Sequence, residues 1–373
     1  MHQYPQPRRH TRTIQVANLT IGGGAPVSVQ SMTKTPTVDV STTVAQIHRL
    51  EEAGCDLIRV AVPDTAAAEA LGAIKRQIHL PLVADIHFNH RLALIALEQG
   101  ADKLRLNPGN LRHADQVRQV AAAAKARGVP IRVGVNNGSI DPTVRARFPA
   151  TPQGNAAALV ESALGHIRLL EAEDFTHIAV SLKASDLITT VLAYRLMSEQ
   201  RDYPLHIGVT EAGLPPEGLL KSALGIGQLL GEGIGDTIRV SLTADPVQEV
   251  EAGWVMLRAL ELRTGGITLT ACPTCARCDV DFDPIIRAIK SRLAPVDRRL
   301  RAAGRDLHVA VMGCEVNGPG EARDADVGIA SGKRLGILFR KGEIVGKVPE
   351  PQIVDTLVRM VEEMAKTDSE DKF

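Results

Sequence analysis

Eight short apolar runs recur at near-regular spacing through the first two thirds of the chain, and that repeat limits the fold more than any other feature. They are VSVQSM (27–32), DLIRVAV (56–62), PLVADI (81–86), DKLRLN (102–107), IRVGV (131–135), HIAVSL (177–182), LHIGV (205–209) and TIRVSL (237–242). Near-continuous β-rich runs of this length read as strands buried on both faces. The pieces between them, such as TTVAQIHRLEEAG and NHRLALIALEQG, space apolar residues by three and four and stop at Gly, as amphipathic helices do. Eight βα units in about 240 residues predict a TIM (β/α)8 barrel. A doubly wound open sheet is the alternative, but it seldom needs eight such repeats. The opening TIQVANLTI (13–21) reads as a hairpin plugging the barrel floor.

After Thr264-Gly265-Gly266 the rhythm changes. ITLTAC, LHVAVMG and ADVGIAS read as strands, DPIIRAIKSRLAPVDRRLRAAG as one long or Pro-broken helix, and RLGILFR-KG-EIVGKV as a hairpin with a Lys-Gly turn. PQIVDTLVRMVEEMAKT closes as a helix with Pro at its start. The expected division is a barrel over 1–264 and a smaller α+β domain over 265–373, and 373 residues suit two domains.

The 43 basic and 43 acidic residues cancel, which argues against a protein that holds nucleic acid by overall charge. No apolar run approaches the ~20 residues that cross a bilayer. MHQYPQPRRHTR carries a twin arginine, but TIQVANLTIGGG follows where a signal peptide needs its apolar core. The expectation is a mobile tail on a cytoplasmic protein that binds neither nucleic acid nor membrane.

In a barrel, functional groups sit at the C-terminal strand ends. The pattern places Ser31, Arg59, Asp85 with His87, Arg105 with Asn107, Arg132 with Asn136, Lys183, Glu211, and Arg239 with Ser241 there. Strand residues two apart share a face, so Arg132 and Asn136, Asp85 and His87, and Arg239 and Ser241 point alike. Five cations against two clear anions make a positive basin, and burying that many charges without a counterion costs several kcal/mol each. A multiply anionic ligand such as a diphosphate relieves this, since Arg meets phosphate oxygens bidentately. An internal salt-bridge ring would account for one or two of the arginines.

Of five cysteines, four fall between 272 and 314, a clustering that suggests a metal site rather than a disulfide framework. Cys55, before an apolar run, reads as a buried small hydrophobe. C-x-x-C lets two thiolates grip one centre. Cys272, Cys275, Cys278 and Cys314 would suit a four-thiolate zinc site. An iron–sulfur cluster with three thiolates and one odd ligand fits better, because Gly318-Pro319-Gly320 can turn Glu321 back toward Cys314. A carboxylate holds iron less tenaciously than thiolate and is replaceable. The C-x3-C-x2-C of radical S-adenosylmethionine enzymes is absent.

VQSMTKTPTVD, ADIHFNHRLAL, LRLNPGN, IRVGVN, SLKASD, GVTEAG, IRVSLT, CPTC and MGCEVNGPGEA occur in that order. Over about residues 8–360 the chain resembles the 4-hydroxy-3-methylbut-2-enyl diphosphate synthases of the methylerythritol phosphate route to isoprenoids, in their compact bacterial two-domain form. The resemblance implies an oxidoreductase with a [4Fe–4S] cluster on an α+β domain of the sulfite and nitrite reductase kind. It would reductively open 2-C-methyl-D-erythritol 2,4-cyclodiphosphate to the hydroxymethylbutenyl diphosphate with two electrons from flavodoxin or ferredoxin, releasing water. By motif, Cys272, Cys275 and Cys314 correspond to the cluster thiolates and Glu321 to the carboxylate ligand. Arg105, Arg132, Asn136, Lys183, Arg239 and Ser241 correspond to diphosphate-holding positions, which Arg59 joins as a mouth cation. Asp85, His87 and Glu211 correspond to polar groups near the reacting carbons, with Glu211 the expected proton donor. Cys278 departs from the family pattern.

The helix after the eighth strand, capped by Asp245 with Pro246 first, is expected to run to about Arg263. Eighteen residues at ~1.5 Å each return the chain roughly 27 Å, to the floor. The cysteine domain then begins at the wrong end to cover its own barrel. A homodimer in which each cluster domain caps the partner's barrel solves this, and the family's head-to-tail dimer agrees. Two rival classes are a zinc-stabilised barrel hydrolase or transferase, pterin-binding like dihydropteroate synthase, and a non-catalytic phosphate sensor.

Overall fold

The structure, a computed structural model, describes residues 4–87, 89–107, 113–276, 278, 280–314, 323–332 and 334–367. The chain divides after Arg263 into two units.

The first unit opens with a hairpin, β1 (Ile14–Val16) and β2 (Leu19–Ile21). Eight parallel strands follow: β3 (Ser28–Met32), β4 (Leu57–Ala61), β5 (Leu82–Ile86), β6 (Lys103–Leu106), β7 (Ile131–Asn136), β8 (Ile178–Lys183), β9 (His206–Ile207) and β10 (Thr237–Ile238). Their order is β8-β7-β6-β5-β4-β3-β10-β9. A parallel bridge between Val180 and Leu205 joins the two ends, closing a TIM-like barrel. Around it run α1 (Val40–Glu52), α2 (Thr65–Lys75), α3 (His90–Glu98), α4 (Ala114–Arg127), α5 (Pro142–Arg145), α6 (Pro152–Glu171), α7 (Leu187–Gln200), α8 (Glu217–Gly231) and α9 (Pro246–Ala259). Asp39, Asp64, Asn89, Asp186 and Asp245 each accept a backbone N–H of the helix they precede. These caps satisfy orphan donors and pin the βα loops that shape the barrel mouth.

The outward faces of the strands form one core with the helices, through residues such as Ile58, Val60, Leu104, Val133 and Val180. Inside, at the strand starts, Leu57, Val83 and Ala179 pack on Ile14, Val16 and Ile21 of the hairpin, which stoppers the floor. Arg263 donates to the Val27 carbonyl and to Asp56, both at 3.0 Å, and stacks 4.3 Å over the Trp254 ring. The chain thus leaves this unit beside the strand starts.

Three expectations need correction. The helix after β10 ends at Ala259, not near Arg263. Strands nine and ten keep two ladder residues each rather than 205–209 and 237–242. Past them the backbone serves the site: a Cβ on Gly208 would lie 2.3 Å from the Arg239 carbonyl oxygen and 3.0 Å from Lys183 Nζ. The N-terminal segment is strapped down from Gln6 onward. Gln6 N–H donates to Gly231 O at 2.8 Å, and Arg8 pairs with Asp236 at 2.8 Å. Arg9 donates to the carbonyls of Ser198, Arg201 and Tyr203 at 2.6–3.0 Å. The twin arginine thus works as a clasp under the barrel.

The second unit is a five-stranded sheet, β11 (Gly266–Ala271), β12 (Asp306–Met312), β13 (Val327–Gly332), β14 (Leu335–Arg340) and β15 (Glu343–Pro349), in that order. The first three run parallel and the last two pairings are antiparallel. Helix α10 (Phe282–Ala302) continues through Pro295, and it packs with the closing helix Ile353–Thr367 on one face, burying Ile289, Leu293, Val309, Ile329, Leu357 and Val361.

Candidate functional site

Alternation along the strands turns Arg59, Asp85, Arg105, Arg132, Ser181 and Lys183 into the barrel. Ladder register sets Asp85 beside Arg105 and Arg105 beside Arg132. Asp85 is the hub. Its Oδ1 lies 3.1 Å from Arg105 Nη1, and its Oδ2 lies 3.7 Å from Arg59 Nε and 3.5 Å from His87 Nε2. Arg105 Nη1 also lies 2.9 Å from His87 Nε2, and Arg105 donates to the Gly134 carbonyl at 3.0 Å. Arg132 donates to Ser181 Oγ at 2.8 Å. Arg239, just past β10, faces Glu249 at 3.8 Å.

Burial would raise the Asp85 carboxyl, but Arg59, His87 and Arg105 together hold it well below the usual range. Burial pushes Arg59 down to about 9, with Asp85 opposing and Arg239 and Arg105 assisting. Lys183 falls well below its ordinary value through burial, then through Arg239, Arg132, Arg59 and Arg105 in turn. All five mouth cations therefore share one field, faced by Asp85 and Glu249. Arg105 Nε, Arg132 Nε and Nη2, and Arg239 Nε are buried without a protein acceptor. Unmatched guanidinium donors in a buried, positive cleft suit a ligand with several anionic oxygens.

The remaining mouth residues are less engaged. The Asn136 backbone N–H donates to Ser139 Oγ at 3.2 Å across the short turn Asn137–Ser139, and Ser241 is half-buried. Asn107 is buried, and Ser31 is buried with its hydroxyl unmatched. Glu211 is exposed on the loop after β9 and holds a left-handed φ of 54°, the kind of local strain that loops at functional sites retain.

Sequence reasoning missed Glu249. From the first turn of α9 it accepts the Leu242 N–H at 2.9 Å and faces Lys34 at 3.4 Å, tying two mouth loops. It also missed Lys103 and His206, buried deeper in the barrel. Burial, then Arg132, brings Lys103 to about 7, while burial and the cations around it hold His206 well below its ordinary value. An acid early in a helix reads as a dipole partner, and a lysine opening a strand reads as solvated, so neither carries a signal in sequence.

In the second unit, Cys272, Cys275 and Cys278 line a cavity of about 560 Å³ with Thr274 and Phe282. The Gly313 N–H donates to Cys272 Sγ at 3.0 Å, and a Cβ there would meet Cys278 Sγ at 3.0 Å and Cys272 Sγ at 3.2 Å. Half-buried Cys314 is the next residue. Among the described residues no three Cys, His, Asp or Glu side chains converge closely enough to hold a metal ion as they stand. Glu321 lies outside the described residues. The donor chemistry, several thiols on one pocket, nevertheless fits an iron–sulfur cluster, which thiolates bind. Cys55, buried apart, is pushed up to about 12 by burial and is inert.

A TIM-like barrel with a cation-rich mouth, followed by an α+β unit with a thiol pocket, defines a two-domain α/β enzyme class. Residues 11–254 match the GcpE TIM-barrel domain and residues 268–363 the GcpE protein C-terminal domain. The chain belongs to the GcpE family, that of the 4-hydroxy-3-methylbut-2-en-1-yl diphosphate synthases. The flavodoxin-type synthase of Geobacter sulfurreducens is 54% identical over 354 residues, covering 95% of this chain and 98% of its own. That of Ruminiclostridium cellulolyticum is 50% identical over 357 residues, covering 96% and 98%. Among solved structures, Yersinia pestis dihydropteroate synthase aligns over 68% of this chain and 99% of its own at 13% identity and a TM-score of 0.49, too loose to bear on function.

Proposed function

We propose that the chain converts 2-C-methyl-D-erythritol 2,4-cyclodiphosphate to 4-hydroxy-3-methylbut-2-enyl diphosphate and water, taking two electrons from flavodoxin or ferredoxin. Family membership supports this reading, and the single observation that carries it is the cation field of Arg59, Arg105, Arg132, Lys183 and Arg239, with unmatched buried donors.

Arg105, Arg132, Lys183 and Arg239 hold the diphosphate, Arg59 adds charge from behind Asp85, and Asn136 and Ser241 border it. Asp85 fixes Arg105 and His87 rather than meeting an anion itself. Glu211, on its strained loop, protonates the departing oxygen. In the second unit Cys272, Cys275, Cys314 and Glu321 would hold a [4Fe–4S] cluster. When bound, the cluster supplies single electrons and Lewis acidity.

The working form is a head-to-tail homodimer in which each cluster domain caps the partner's barrel and excludes water. The position of Arg263 beside the strand starts supports this, because the chain leaves its barrel at the end opposite the cations. Two tests apply. An oxygen-free preparation should contain iron and sulfide and turn over with reduced flavodoxin; a colourless, zinc-rich sample overturns the cluster. Separately, R239A and C314A should each be inactive alone and regain part of the activity as mixed dimers; no recovery removes the shared site.

A further inference from the structure

Cys278 has no part in the ligand set proposed above, yet it is built into the same pocket. The three atoms nearest a Cβ placed on Gly313 are Cys278 Sγ at 3.0 Å, Cys272 Sγ at 3.2 Å and Cys278 Cβ at 3.6 Å. Two sulfurs that close to one point are no farther apart than the sum of those distances. Cys272 Sγ is held by the Gly313 N–H, and Cys278 Sγ leans on the Val280 carbonyl at 3.5 Å. Both side chains pack against the sheet-and-helix core, whereas Cys275 is exposed. Rotation of one or both side chains between staggered wells is the movement that would bring the sulfurs toward the ~2.05 Å of a disulfide.

We propose that Cys278 is a resolving thiol, which captures Cys272 as a disulfide when the pocket is without its cluster and meets hydrogen peroxide. The Cys272 sulfur attacks peroxide, the O–O bond breaks, and a sulfenic acid and one water form. The Cys278 sulfur then attacks the sulfenic sulfur. The S–S bond forms, the S–O bond breaks, and the hydroxyl leaves with the Cys278 proton as a second water. Two thiols and one peroxide thus become one disulfide and two waters. Left alone, the sulfenic acid would climb to sulfinic and sulfonic acids, which thiol reductants do not reverse. The disulfide returns to two thiols with dithiothreitol. The consequence for the enzyme, a pocket that can be reloaded after oxidative damage, rests on Cys272 being a cluster thiolate as read above.

Tryptic cleavage separates the partners, since Cys272 and Cys275 fall in 264–277, Cys278 in 278–287 and Cys314 in 306–323. Cluster-loaded protein is treated with an iron chelator and hydrogen peroxide, alkylated and digested. The expected product links 264–277 to 278–287, with fragment ions placing the bond on Cys272 and the alkyl group on Cys275. A bond within 264–277, a bond to 306–323, or Cys272 found only as sulfinic or sulfonic acid overturns the proposal. The variant C278S should lose the link and accumulate over-oxidised Cys272. After dithiothreitol, iron and sulfide, it should regain several-fold less cluster absorbance than the parent; equal recovery also overturns it. Iron content before peroxide is measured separately, so failure of the cluster reading is distinguished from failure of the trap.

Discussion

The Arg105 guanidinium donates to the Gly134 carbonyl at 3.0 Å, and its Nε lies 2.6 Å from where a Cβ on that glycine would sit. Arg105 lies over the neighbouring strand only because β7 has no side chain there. G134A therefore displaces Arg105, and Ser181 Oγ at 3.1 Å blocks the other way out. Overpacking of this kind costs about 1–3 kcal/mol of stability. Misplacing a binding group by ~1 Å weakens function up to a hundredfold. Steady-state kinetics should show KM for the cyclic diphosphate rising on the order of tenfold or more in a protein that still melts cooperatively.

Glu249 neutralises Lys34 and Arg239 while accepting the Leu242 N–H. E249Q keeps the shape and removes the charge. It should lower stability by about 1–3 kcal/mol, the usual cost of removing a buried carboxylate's charge from its hydrogen bond and cationic partners. With Arg239 no longer faced by that acid, inorganic pyrophosphate should raise Tm more in the variant than in the parent. Thermal melts with and without pyrophosphate check both signs.

Lys103 gives a pH signature. Folded, it holds its proton only below about 7, because of burial first and Arg132 second. Unfolded, a lysine holds it to about 10.4. Between those values the unfolded chain binds more protons, so this residue makes stability rise with pH. Below about 7 both forms are charged and the burial cost is felt in full. K103M should be more stable than the parent by about 1–4 kcal/mol at pH 6, and the margin should shrink as pH climbs toward 10. Parallel pH curves for parent and variant would count against this role.

Arg9 clasps three carbonyls under the barrel and is far from the mouth in the fold. R9A should cost about 1.5–3 kcal/mol, the scale of charged hydrogen bonds, and should speed trypsin cleavage near Arg12. Turnover of the surviving folded protein should be unchanged.

Much of the barrel was legible because parallel strands buried on both faces must be largely apolar, as LIRVAV and IRVGV are apart from one arginine each. The cations stood out by contrast: Arg59, Arg105, Arg132 and Lys183 interrupt such runs and therefore point inward. What stayed hidden depends on partners distant in sequence. Glu249 sits seven residues after the Leu242 N–H it accepts, and its cationic partner Lys34 lies some two hundred residues upstream. Just past the short strands β9 and β10, Gly208 lies close to the Arg239 carbonyl and Lys183, a packing fact with no periodic signature. The clasp at Arg8 and Arg9 looked like a tail because its acceptors are backbone oxygens and Asp236, none of them nearby in the chain.

The stopper made by Ile14, Val16 and Ile21 turns the barrel from a tunnel into a cup. Whatever is drawn in must leave by the rim it came through, so a new molecule waits until the spent one has gone. Two phosphoryl compounds of similar charge then queue at one doorway, and the enzyme should be throttled competitively by its own product.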